Sequence, residues 1–340
     1  MADDIPYKAE SESVIINKTN YNLLDTHFKA PFWQFNGHIQ TIYPSFFRNI
    51  RLPYERERLT LPDGDFIDLD WVKTGSRKLI IVTHGLEGDS TRHYVTGMIK
   101  CFVDDGFDGL GWNCRSCSGE INRNPRFYHH GDAGDLKYVI DYAIEEKKYQ
   151  EVVLVGFSMG GSLTMRVLGE NAGHLSSRVS KAVVASVPLD LHESVDELHK
   201  PGKRFYMKRF IRKLGIKLEL KSKQFPDNPL FDVSGYKEEV KDFYDFDNRF
   251  TAPIHGYKNA IDFYKLAASK PLIKHINVPI KIVQALNDPF LSPECYNLGD
   301  GSANKNAELV LPEVGGHVGF MQAAKPLSFI EEYALNFYKS

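Results

Sequence analysis

The stretch Val152-Val153-Leu154-Val155-Gly156-Phe157-Ser158-Met159-Gly160-Gly161 decides the fold. Its first four residues are apolar and mostly β-branched, as in a strand buried on both faces of a parallel sheet. Without a gap comes a serine flanked by glycines, and then residues 160–168 read as a helix. A G-x-S-x-G pattern alone arises by chance. A strand before it and a helix after it are the setting in which a sharp turn presents a serine hydroxyl. The glycines answer a steric need, because bulk on either side of such a turn would meet neighbouring backbone.

Working outward, residues 79–83, 107–113, 182–187, 280–285 and 308–311 read as further strands. Helices are expected from near Ser90, over 132–147, and near 327–338. In 132–147, Leu136, Val139, Ile140, Ala143 and Ile144 recur at helical spacing. Upstream, 57–61 and 66–72 alternate about Pro62-Asp63-Gly64-Asp65, a hairpin signal. The pattern predicts an α/β fold with a mostly parallel central sheet flanked by helices. Strand–helix alternation stops over 191–269, which reads as helical and irregular, rich in Phe, Tyr, Lys and Asp. The expected organisation is a core of 1–190 and 270–340, with the N-terminal segment 1–56 packed on it. Residues 191–269 would form a helical cap over the carboxyl edge of the sheet, where α/β sheets bind ligands.

A serine hydroxyl is a poor nucleophile until a base takes its proton. His317, in Gly315-Gly316-His317-Val318-Gly319 after the last strand, is the expected base. Asp288, in Asn287-Asp288-Pro289-Phe290 just past residues 280–285, is the expected acid that fixes the imidazole. Asp190, after 182–187, is the rival acid. A developing oxyanion needs preorganised donors, expected from the backbone N–H groups of Met159 and of Leu86 in His84-Gly85-Leu86-Glu87-Gly88. This constellation points to a serine hydrolase working through an acyl-enzyme, with acyl transfer to an alcohol as the alternative use of the same groups.

Composition fits a globular enzyme: of 340 residues 42% are hydrophobic and 25% charged, and the net charge of −2 gives no global attraction to nucleic acid. No apolar run approaches membrane-spanning length and residues 1–12 carry no apolar leader, so a cytoplasmic location is expected. Four cysteines do not make a disulfide framework. Cys114-Arg115-Ser116-Cys117 ends a strand rather than starting a helix, and the adjacent His129 and His130 lack the spacing of zinc ligands. No cofactor and no metal are expected; Arg115 and Glu120 are expected to brace the loop. Residues 200–223 hold ten Lys/Arg and one acid, Glu219, among Phe205, Phe210, Ile211 and Leu214. That reads as a solvated cap face, with contact to an anionic lipid surface or an acidic substrate as the sharper alternative. Asn36, His38, Gln40 and Thr41 are too polar for simple core and are expected near the site or pinning the N-terminal segment.

The sequence also resembles the α/β-hydrolase subfamily of bacterial YheT-like hydrolases and their eukaryotic abhydrolase-domain relatives. The resemblance runs from about residue 31 to 320. It rests on Phe32-Trp33, on Asn36-x-His38-x-Gln40-Thr41, on His84-Gly85-Leu86-Glu87-Gly88 and on Asn113-x-Arg115-x-Cys117-Ser118-Gly119-Glu120. It continues through Tyr128-His129, Asp245-Phe246-Asp247, Thr251-Ala252-Pro253-Ile254-His255-Gly256, Asn287-Asp288-Pro289-Phe290 and Gly316-His317-Val318-Gly319-Phe320. The pattern departs locally at His130. The resemblance implies a triad at Ser158, Asp288 and His317 and hydrolysis of small-molecule carboxylic esters, lipid-like ones among them.

Overall fold

The computed structural model describes residues 5–9, 12–16 and 28–340. The remainder of the expected segment 1–56 lies outside the described residues. Strands β1 (Ile5–Ala9) and β2 (Glu12–Ile16) form an antiparallel pair. All others join one sheet: β3 (Glu55–Thr60), β4 (Phe66–Val72), β5 (Lys78–Thr83), β6 (Asp108–Asn113), β7 (Glu151–Phe157), β8 (Val179–Ala185), β9 (Ile280–Val283) and β10 (Ala307–Val310). Their order is β10-β9-β8-β7-β5-β6-β4-β3. The strands from β10 to β6 pair in parallel, and β4 runs antiparallel to both β6 and β3.

The continuous apolar runs are explained by burial on both faces. In β5 and β7, Leu79, Ile81, Val152 and Leu154 point to one side, where they meet helices α3 (Gly134–Glu145) and α4 (Met159–Glu170). Ile80, Val82, Val153 and Val155 point to the other, against α2 (His93–Val103) and α8 (Phe329–Lys339). β8 begins earlier and ends sooner than residues 182–187 suggested, because Ser186 takes φ 54° and turns the chain off the sheet edge.

Helix α1 (Gly37–Phe47) starts on Asn36, whose side chain accepts from Ile39 N at 2.9 Å. The segment around it is tied to the end of the chain. Phe28 stacks on Phe329 at 4.6 Å, and Arg48 makes a two-pronged bond to Glu331 at 2.6 and 2.7 Å.

Between β8 and β9 lie α5 (Leu191–His199), α6 (Arg204–Gln224), several single turns and α7 (Ala260–Ala267). They share an apolar cluster of their own, including Val195, Ile211, Leu218, Phe231 and Phe263, which reaches the core at Phe290. The basic stretch does not face solvent throughout. Lys213, Lys217 and Lys221, four apart, turn inward because that helical face docks on the core. Lys213 Nζ donates to Glu87 O at 3.0 Å and Lys217 Nζ pairs with Glu87 at 2.7 Å. Lys221 Nζ donates to Asn122 O and Asn124 O at 2.5 and 2.6 Å. Among the described residues, no helix is long and apolar enough to cross a membrane.

Candidate active site

Ser158 stands where β7 ends and α4 begins, at φ 54° and ψ −123°, with its N–H bonded to Ala185 O at 2.9 Å. The turn is closed tightly enough to require its glycines. A Cβ on Gly156 would lie 2.4 Å from Gly160 O, and one on Gly160 would lie 2.2 Å from Thr83 O. The hydroxyl is thereby held out from the sheet, 3.0 Å from His317 Nε2. His317 Nδ1 lies 3.1 and 3.0 Å from the two carboxylate oxygens of Asp288. That carboxylate is fully buried and also accepts from Phe290 N at 2.8 Å. The Phe290 ring stacks on the imidazole at 3.9 Å. Asp190 is elsewhere: its side chain caps α5 through Glu193 N. The structure therefore brings Ser158, His317 and Asp288 together and leaves Asp190 out.

The loop after β5 approaches the serine closely, since a Cβ on Gly85 would sit 3.1 Å from that of Ser158. Tyrosine hydroxyls hold the N–H groups on either side of Leu86. Gly85 N donates to Tyr94 OH at 3.2 Å, and Glu87 N donates to Tyr128 OH at 2.9 Å. The Leu86 and Met159 N–H groups have no acceptor among the described residues. Met159 N–H is also at the first turn of α4, where the helix dipole favours negative charge.

Side chains from α1 hold the loop that carries His317. Thr41 Oγ1 accepts from His317 N at 2.8 Å, and Gln40 Oε1 accepts from Gly315 N at 2.8 Å and from Asn287 Nδ2 at 2.9 Å. Asn287 Oδ1 accepts from Gly316 N at 3.0 Å, and Ser186 Oγ accepts from Val318 N at 3.0 Å. The Gln40 and Thr41 pair thus has a role that its composition did not disclose. His38 lies further out, its Nδ1 3.1 Å from Tyr206 OH.

A pocket opens on Ser158 and His317. Its walls are mainly apolar, with Leu86, Leu191, Val195, Phe210, Leu214 and Phe290 among them. His129, His130, Asp247 and His255 also line it. Burial keeps these histidines neutral: His255 is pushed down to about 4, and His129, packed against His255 at 4.2 Å, well below its ordinary value. Asp247 opens a π-helical turn, and burial lifts its carboxyl to about 6 even though Thr251 and Tyr264 donate to it. Such turns recur at functional sites.

Arg115 braces the loop after β6 as expected, buried among Asp63, Asp65 and Asp135 at 2.7 to 2.9 Å. Glu120 instead sits exposed on Arg58. The CxxC thiols are free, and burial raises both above the ordinary thiol range.

Residues 78–324 match the family described as the alpha/beta hydrolase fold. A putative esterase, YheT, of Escherichia coli is 32% identical over 84% of this chain and 84% of its own. The human phospholipase ABHD3 is 26% identical over 86% of this chain and 73% of its own. The solved esterase Pf2001 of Pyrococcus furiosus superposes with a TM-score of 0.55 at 16% identity, over 94% of this chain and 97% of its own, a likeness of fold. The chain belongs to the α/β-hydrolase fold family, among its esterase- and lipase-like members.

Proposed function

We propose that the protein hydrolyses carboxylic esters through an acyl-serine intermediate, with Ser158 as nucleophile, His317 as base and Asp288 as the acid that orients it. One observation carries the reading: the unbroken chain Asp288–His317–Ser158 at hydrogen-bonding distances, opening on an apolar pocket. Ser158 Oγ attacks the carbonyl carbon while His317 Nε2 takes its proton. The N–H groups of Leu86 and Met159 receive the oxyanion. The carbon–oxygen bond to the alcohol then breaks, and the alcohol oxygen takes the proton from His317. Water repeats the sequence on the acyl-serine, giving the carboxylic acid and restoring the hydroxyl. Asp288 keeps the Nδ1 proton in place and stabilises the imidazolium throughout.

Residues 191–269 act in this reading as the cap that walls the pocket. The lining favours a short- to medium-chain or lipid-like acyl group, an inference that the names of the esterase and phospholipase relatives support.

A fluorophosphonate probe tests the assignment. The wild type is labelled and Ser158→Ala is not; labelling of the variant would overturn it. A p-nitrophenyl ester series of rising acyl length then measures the pocket, and an optimum beyond acetate is expected.

A further inference from the structure

We propose that the protein docks on the surface of an anionic lipid bilayer through a patch formed by residues 32–47 and the outward face of α6. Nine large apolar side chains are exposed among the described residues, and seven of them lie here. Phe32, Phe35, Phe46 and Phe47 are 93%, 78%, 65% and 69% exposed. Phe205, Ile216 and Leu220 project from the outer face of α6. Single exposed apolar residues need no explanation, but an aromatic group gathered in one place marks an interaction surface.

The two segments form one surface. Arg209 lies over the Phe46 ring at 5.9 Å, and His38 of α1 packs against Phe205 and Tyr206 at 6.3 and 5.8 Å. Trp33 meets Tyr43 edge-on at 4.1 Å, and Tyr43 meets Phe47 at 4.7 Å, which joins the segment before α1 to its last turn.

Charge selects the occupant. Lys208, Arg209 and Arg212 share the outer face of α6 with Phe205 and Ile216, and none has a carboxylate partner among the described residues. Elsewhere on the same helix the inward lysines are fully engaged, so the cations left outside are a selection by face. Glu219 is the one acid of α6. Exposed aromatics interleaved with unpaired cations suit a headgroup layer: the rings enter the acyl boundary and the long basic side chains reach back to lipid phosphates. A second copy of this chain would present the same cations to one another across a symmetric contact and repel it.

The helix bearing Phe46 and Phe47 also carries Gln40 and Thr41, which hold the His317 loop. Tyr206 packs at a tilt against Phe290, which stacks on His317. Tyr206 and Phe290 therefore bridge from Phe205 of this patch to His317.

Vesicle flotation of the full chain tests the proposal, and because it reads binding alone its outcome is independent of the ester-hydrolysis reading. Wild-type protein floats with phosphatidylserine–phosphatidylcholine vesicles, less with phosphatidylcholine alone, and less as salt rises. Phe46→Ser/Phe47→Ser and Arg209→Glu/Arg212→Glu each lower binding at least about tenfold, with urea midpoints unchanged. Wild-type protein that does not float, or variants that bind like it, overturn the proposal. So does Phe-dependent self-association in sedimentation velocity without vesicle binding, which makes the patch a contact between two copies.

Discussion

Val318, a β-branched residue, sits at φ 56°, with Gly316 at φ 58° before it and Phe320 at φ 48° after it. Left-handed backbone at residues other than glycine costs roughly 1–3 kcal/mol each, and persists only where surrounding contacts over-determine it. Here those contacts are the four acceptors from Gln40, Thr41, Asn287 and Ser186. Thr41 is a positioning residue, and Thr41→Val removes its hydroxyl at nearly constant volume. Such a loss should lower kcat by roughly ten- to a hundredfold with KM nearly unchanged, and Thr41→Ser should restore most of it. Unchanged kcat, or a loss confined to KM, would refute the role. Ser158, Asp288 and His317 were nameable because each sits in a local pattern at the end of a strand. The purpose of Gln40 and Thr41 was not legible, because their partners Gly315 and His317 are 275 and 276 positions away.

Elements meet at Arg115. Its guanidinium ties the β3–β4 turn, through Asp63 and Asp65, to the first turn of α3, through Asp135. Arg115→Met would leave buried carboxylates without their counter-charge. Removing one partner of a buried ion network costs about 3–5 kcal/mol, read as a lower urea midpoint; a midpoint within error of wild type would show the network to be redundant. Helix α6 illustrates how far an element can be read from sequence. Its ten-cation neighbourhood was visible as a basic run, but the run divides into two faces. The inward face follows the four-residue spacing of Lys213, Lys217 and Lys221, a helical period present in the sequence. What those lysines bind, Glu87 for Lys213 and Lys217 and the Asn122 and Asn124 carbonyls for Lys221, is tertiary and carries no local signal.

Across the whole molecule, the strand–helix alternation made the parallel sheet legible, while the strand order did not follow from it. The hairpin signal accounts for the antiparallel β3–β4 pair, but nothing local says that β4, second from the edge of the sheet, also runs antiparallel to β6. The same interior sets the response to acid. Burial pushes His84 down to about 4, His93 to about 3 and His129 well below its ordinary value. The unfolded chain takes up these protons near pH 6.5 and the folded chain does not, so the stability they confer is present above pH 6.5 and lost as pH falls toward 4. Asp247 acts oppositely, because burial raises its folded value to about 6 and lowering the pH relieves that penalty. His130 and His255, both also pushed down to about 4, add to these histidines and together they outweigh Asp247, so unfolding takes up protons and stability falls as pH drops from 6 toward 4. Urea titrations at pH 7 and pH 5 should show the loss; a flat or rising midpoint would contradict it.

The hydrogen bonds from α1 to the His317 loop also order events during synthesis. The helix is made before the serine turn and the serine turn before the histidine loop, with α1 and His317 meeting across 276 positions. A nascent chain can therefore build the sheet and expose Ser158 while it still lacks a base. In the proposed mechanism Ser158 gains its base only when later-made residues settle against an earlier-made helix, so the growing polypeptide would stay unreactive until then.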